Sequence, residues 1–172
     1  MSLTTAQVGV SLSAALAGVL NTGTSTANLS SSVSTAVGAA LTAGAGLADV
    51  GWWDKRTLGA SANETIDFAG TLKDPFGVTV TLARIKVLMI AADGGNTNNL
   101  TIGGGATTWT GLMGATTHTT TLRPGGAALW MTATADSVGY VVTAGTGDLL
   151  QIANAAGTTS VIYTIAVLGV ST

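Results

Sequence analysis

The residues that could do chemistry are few and scattered along the chain. The one histidine, His118, stands in Thr116-Thr117-His118-Thr119-Thr120, without the paired carboxylate or second imidazole that nucleophilic or metal chemistry requires. A triad of Ser137, His118 and Asp136 can be drawn on paper, but no Gly-x-Ser-x-Gly elbow supports it, and a solvated strand histidine is the simpler reading. The acidic residues Asp49, Asp54, Glu64, Asp67, Asp74, Asp93, Asp136 and Asp148 show no spacing that signals the close carboxylate pair of a glycosidase. Asp93, Asn96, Asn98 and Asn99 have the composition of a calcium loop. Gly95 replaces a ligand there and no closing glutamate follows, so a polar hairpin loop is expected. Gly103-Gly104-Gly105 and Gly145-Thr146-Gly147 open no helix and precede no Gly-Lys-Ser/Thr, so they are not phosphate loops. Without cysteine, thiol catalysis, disulfides and cysteine-bound zinc are excluded. The expectation is a protein that is not an enzyme, with no catalytic residue, no metal and no cofactor.

Charge narrows the partners. Only 8% of the residues are charged, against a usual figure of about 25%, and the net charge is −2. Gly, Ala, Ser and Thr fill the places where Lys and Glu normally sit, so the exterior is largely neutral and weakly protected against association. Self-association is the expectation; a monomer hydrated through its hydroxyl groups is the alternative. The six cations, Lys55, Arg56, Lys73, Arg84, Lys86 and Arg123, are too few and too dispersed for a nucleic-acid patch. No Lys or Arg precedes Lys55, so a secretory n-region is missing and export by that route is not expected. The most apolar stretch, Val161 to Val170, is half of the roughly 20 residues a membrane-spanning helix needs, and reads as a buried strand; no membrane partner is expected.

The elements that would position any site fall into two parts. Residues 1–50 form an arm of Ala, Ser, Thr, Gly, Leu and Val, with Asp49 as its sole charge and no aromatic residue. Within it Leu12, Leu16, Val19 and Leu20 can share a helical face, while Val8, Val10 and Leu12 alternate as a strand does; the pattern leaves both open. Ordering such a segment costs on the order of 1 kcal/mol per residue in backbone entropy, so it needs a partner, unless it is only a floppy leader. Residues 51–172 read as a β domain. Short β-prone runs, Thr65–Phe68, Val78–Ala91, Leu100–Ile102, Thr117–Leu122, Ala127–Thr132, Gly139–Val142, Leu149–Ile152 and Ser160–Val170, alternate with turn clusters such as Asp74-Pro75-Phe76-Gly77 and Arg123-Pro124-Gly125-Gly126. No amphipathic helix separates them, so the expected fold is mainly β: an antiparallel β-sandwich or jelly-roll-like domain with an extended N-terminal arm. Both alternating sets of Val161–Val170 are apolar, which places that strand centrally or at a subunit contact.

Trp52-Trp53-Asp54-Lys55-Arg56, at the junction of arm and domain, is the most distinctive cluster. Trp52, Trp53, Lys55 and Arg56 are the interface candidates, since Trp and Arg dominate interface hot spots; a pair of core tryptophans is the competing reading.

Several stretches, Arg84-Ile85-Lys86-Val87-Leu88-Met89-Ile90, Leu100-Thr101-Ile102-Gly103-Gly104, Thr121-Leu122-Arg123-Pro124-Gly125-Gly126-Ala127, Ala144 to Ile152 and Thr158 to Gly169, resemble segments of small structural proteins of tailed-bacteriophage virions, in particular capsid cement or decoration proteins. The likeness covers about half the chain and rests on strand and turn patterns. It implies a homo-oligomer, a trimer or other ring, on the outer surface of the capsid, bound to the major capsid protein with the arm gripping neighbours. The alternatives are a tail or fibre subunit binding a host sugar, for which Trp109 and Trp130 are the aromatic candidates, and a small envelope hydrolase, for which no converging acid and base is visible.

Overall fold

The computed structural model describes residues 7–20, 23–36, 47–74, 76–105, 109–133 and 135–171, the first two segments by backbone alone. Gln7–Leu20 (β1) and Gly23–Ala36 (β2) pair antiparallel as a two-stranded hairpin. The strand pattern is therefore the one the arm adopts there. The eight principal strands of the β domain are β3 (Val50–Leu58), β4 (Asn63–Asp67), β7 (Arg84–Ala92), β8 (Leu100–Gly103), β9 (Thr119–Leu122), β10 (Ala127–Met131), β12 (Leu149–Asn154) and β13 (Val161–Val170). Two short additions, the β5–β6 hairpin (Leu72–Lys73 with Thr79–Val80) and β11 (Tyr140–Val141), complete the set.

Every strand pair is antiparallel. One sheet runs β10-β7-β13-β3, with β11 also pairing β7; the other runs β4-β12-β8-β9. Among the eight principal strands the pairs nest: first with last (β3 and β13), second with seventh (β4 and β12), third with sixth (β7 and β10), fourth with fifth (β8 and β9). This is one long hairpin wrapped upon itself, the strand order of a jelly roll. The expected sandwich is observed, and Val161–Val170 is a central strand, held by β7 on one side and β3 on the other.

The core lies between the sheets. Val161, Tyr163, Ile165 and Val167 alternate inward from β13, wholly buried, against Ile66, Leu100, Ile102, Leu150 and Ile152 of the opposing sheet. Each fully buried side chain of this size contributes about 1.5–3 kcal/mol. Phe68, Trp109 and Tyr140 close one part of this core through edge-to-face ring contacts, with centroids 5.2 and 6.3 Å apart.

Local departures from the sequence expectations have local causes. Val78–Ala91 is not one strand: the chain leaves the β5–β6 hairpin at Thr81, buries Leu82, and hydrogen-bonds Leu82 and Ala83 to Phe68 and Val170 before β7 begins. Trp52-Trp53-Asp54-Lys55-Arg56, taken as a junction, forms the body of β3. The register slips between Leu168 and Gly169, a β-bulge that leaves Lys86 without a partner residue in β13. Lys86 is fully buried, and its ammonium donates to the carbonyls of Ala133 (3.4 Å) and Asp136, holding the loop between β10 and β11; burial lowers its pKa. Glycine is required at 169, where a Cβ would stand 2.2 Å from the Arg84 carbonyl oxygen.

Candidate interaction face

A sandwich has two outer faces, and here they differ in chemistry. On the four-stranded sheet the register sets Thr65 beside Gln151, and Thr121 beside Thr101 beside Ala153, a neutral hydroxyl-rich surface. On the five-stranded sheet two adjoining rows of outward positions are apolar, beside a third that holds Lys55 and Thr164. Leu129 of β10, Met89 of β7, Ala166 of β13 and Trp53 of β3 stand directly opposite one another in a row across all four strands. The next row is Met131, Val87, Leu168 and Gly51. Trp53 is 59% exposed and Met89 37%. These two rows make the outer face of this sheet the candidate for contact.

Part of the face is already covered by the chain itself. Ala48 is fully buried against Val87, Leu129, Met131 and Leu168, so the polypeptide arrives from the arm across one end of the face. Asp49 fixes this entry: its amide donates to the Gly169 carbonyl (2.9 Å), and its carboxylate accepts from the Ser171 amide (2.8 Å) and hydroxyl (2.6 Å).

The four interface candidates lie on β3, and strand alternation divides them between its two sides. Trp53 and Lys55 point outward, exposed, with Trp53 on the apolar row. Trp52 is 5% exposed and belongs to the core. Arg56, also inward, bridges two carboxylates: Nε donates to Glu64 Oε2 (2.8 Å), Nη2 to the same oxygen, and Nη1 to Asp54 Oδ2 (3.0 Å). The Tyr163 hydroxyl donates to Glu64 Oε1 (2.7 Å). Glu64 belongs to β4, in the other sheet, so the network closes the sandwich between edge strands β3 and β4. Burial first, then the hydrogen bond to Glu64 and its negative charge, push the Tyr163 pKa well above the usual phenol value. The bond to Glu64 likewise raises that of Arg56. Beside the network a polar groove of about 290 Å3 is lined by Trp52, Asp54, Arg56, Asp67 and Lys73. Glu64 came into this site without a sequence signal; the hint was an arginine at an inward strand position, which needs a carboxylate partner.

The other chemistry-bearing residues are occupied in their own loops. His118 is exposed, with Nδ1 2.6 Å from the Met113 carbonyl oxygen. The Asp136 carboxylate accepts from the amides of Val138 (2.9 Å) and Gly139 (3.1 Å), which lower its pKa. Asp93, Asn96 and Asn98 build a hairpin loop, as expected: Asn96 pairs with the Ile162 backbone through both amide atoms, and Asn98 joins Asn154 (3.1 Å). Among the described residues no group of three His, Cys, Asp or Glu could hold a metal. Trp109, offered as an exposed aromatic for sugar contact, is 1% exposed, because its ring packs between Phe68 and Tyr140 and its indole N–H donates to the Val141 carbonyl (2.6 Å). Trp130 is half-buried against the core. No helix among the described residues is long and apolar enough to cross a membrane.

No protein-family model, no curated protein and no solved structure matches the chain.

Proposed function

We propose that the chain is a structural subunit of a bacteriophage virion, a cement or decoration protein that binds the outside of the assembled capsid. Its partners in this reading are copies of itself, as a trimer, and the major capsid protein; it has no catalytic role. Jelly rolls serve in viral shells, lectins and cupins alike, so the fold by itself does not choose. The observation that carries the reading is the asymmetry of the sandwich. One outer face is hydroxyl-rich, the other presents Trp53, Met89, Leu129 and Leu168, and the arm enters across that second face at Ala48. The residues resembling virion proteins include β7 and β13, which form the centre of this face.

The mechanism is linkage. A subunit that binds only the assembled shell lowers the free energy of that state, so rupture first requires losing its contacts. Several protomers per site add modest contacts through effective concentration, and a chain with so little charge desolvates few ions in making them.

The test is cosedimentation of the purified chain with assembled shells and, separately, with free shell subunits. Stoichiometric binding to shells alone is expected, and Trp53→Ser with Met89→Ser should weaken it at least tenfold while leaving the circular dichroism spectrum unchanged. A stable oligomer that ignores shells would refute the cement role and favour a tail or fibre position.

A further inference from the structure

The apolar face needs an occupant in the free subunit, and the chain carries one of fitting chemistry. In the β1–β2 hairpin, Val10 stands opposite Val33 and Ala14 opposite Leu29. Strand alternation therefore places Val8, Val10, Leu12, Leu16, Leu29 and Val33 on one face of the hairpin, which is mainly aliphatic with Ser25, Ser31 and Thr35 among them. The other face receives Ser11, Ser13, Thr26, Asn28, Ser30 and Ser32. Each strand is 14 residues long, and no third strand joins them in the described structure. A lone two-stranded hairpin is marginal in water, and an aliphatic face left in water makes it more so. This hairpin requires an apolar surface to lie on.

The tether defines which surface is nearest. The chain comes onto the outer face of the five-stranded sheet at Ala48, already packed on Val87, Leu129, Met131 and Leu168. Residues 37–47 separate that point from the hairpin, a linker that spans at most about 36–40 Å, somewhat more than the length of β13. Any point of the face is within its reach, and a short link of this kind gives an effective concentration in the millimolar range. No charged residue precedes Asp49, so docking buries no ion.

We propose that the β1–β2 hairpin lays its aliphatic face on the outer face of the five-stranded sheet of its own chain, over Met89, Leu129, Ala166 and Leu168, as a third layer of the sandwich. This deepens the interaction-face reading on which it rests, by naming the first occupant of that face. The free subunit is self-capped, and gripping a neighbour means handing over the hairpin, an exchange of identical elements between copies.

The chain has no cysteine, so a single thiol can report on the face. The measurement is the maleimide labelling rate of full-length Met89→Cys, with Thr119→Cys, on the hydroxyl-rich sheet, as the reference for general reactivity. The thiol at position 89 should react at least tenfold more slowly than that at 119. Adding Leu12→Asp and Leu16→Asp should abolish the protection without altering the rate at 119, whereas Ser13→Asp and Ser30→Asp should preserve it. The protection should survive a hundredfold dilution. Protection that fades on dilution would assign the face to a second copy's hairpin and overturn the intrachain docking; a thiol at 89 as reactive as that at 119 would overturn docking of any kind. The labelling needs no shells, so its failure leaves the cosedimentation result standing.

Discussion

Tyr163→Phe separates a hydrogen bond from the packing around it. Tyr163 is fully buried at the centre of β13, and its hydroxyl donates 2.7 Å to a carboxylate oxygen of Glu64. Phenylalanine fills the same space and removes that donor, while Glu64 keeps its pairing to Arg56 through the other oxygen. A hydrogen bond to a charged partner contributes about 1.5–3 kcal/mol, so about 2 kcal/mol should be lost at pH 7. The loss should depend on pH in a defined direction. The fold raises the Tyr163 pKa, so native protein keeps the phenol proton above the pH where the unfolded chain, with a pKa of about 10, releases it. Stability from this group is thus fully present below about pH 10 and falls by about 1.4 kcal/mol per pH unit above it. The variant lacks that titration. The wild-type advantage should shrink above pH 10 and vanish near pH 11.5, since 2 kcal/mol is spent in roughly one and a half units. Urea denaturation followed by tryptophan fluorescence at pH 7, 9, 10, 11 and 11.5 measures the gap. A gap that stays constant across this range, or a variant as stable as wild type at pH 7, would refute the account of the Glu64–Tyr163 contact.

Two further substitutions probe the frame. Gly169→Ala places a Cβ 2.2 Å from the Arg84 carbonyl oxygen and 2.6 Å from Leu82 at the bulge, and should cost at least about 2 kcal/mol, with a matching fall in the urea midpoint. Asn154→Ala strips the donors to the carbonyls of Gly59 (2.8 Å) and Thr159 (2.7 Å) and the acceptor for Asn98. It should cost about 3 kcal/mol, and a double-mutant cycle with Asn98→Ala should show coupling above 0.5 kcal/mol; additive losses would mean that the two amides act separately.

What could be read in the chain beforehand follows the range of the information. Turn chemistry and period-two alternation are local, and they gave away the sandwich and the central position of Val161–Val170, whose two sets of apolar residues need cover on both sides. Strand β3 was hidden because its inward positions, Trp52, Asp54, Arg56 and Leu58, break the apolar pattern with two charges. Arg56 satisfies Asp54 on its own strand and is itself paired with Glu64 across the gap between the sheets, a contact that exists only once β3 and β4 part into opposite sheets. Lys86 reads as one more dispersed cation because nothing beside it announces the Ala133 and Asp136 carbonyls, 47 and 50 residues on, that take its ammonium. Trp109 lies in a glycine- and threonine-rich loop and reads as exposed until Phe68, just past β4, and Tyr140 of β11 close on it. The apolar outer face is likewise a product of pairing, since Trp53, Met89, Leu129 and Ala166 come from four separate strands.

The nested pairing also governs the order in which the molecule can be made. Its innermost pair, β8 with β9, joins residues about 20 apart, while the outermost, β3 with β13, joins positions more than 100 apart. Contacts of such range must wait for their partners, and folds dominated by them form in milliseconds to seconds rather than microseconds. During synthesis the strand that will occupy the middle of the five-stranded sheet is the last of the thirteen described strands to appear, so β3 and β7 emerge earlier and remain unjoined until Val161–Val170 follows. A ribosome that stalls before Val161 therefore leaves β3 and the apolar β7 exposed with no strand between them.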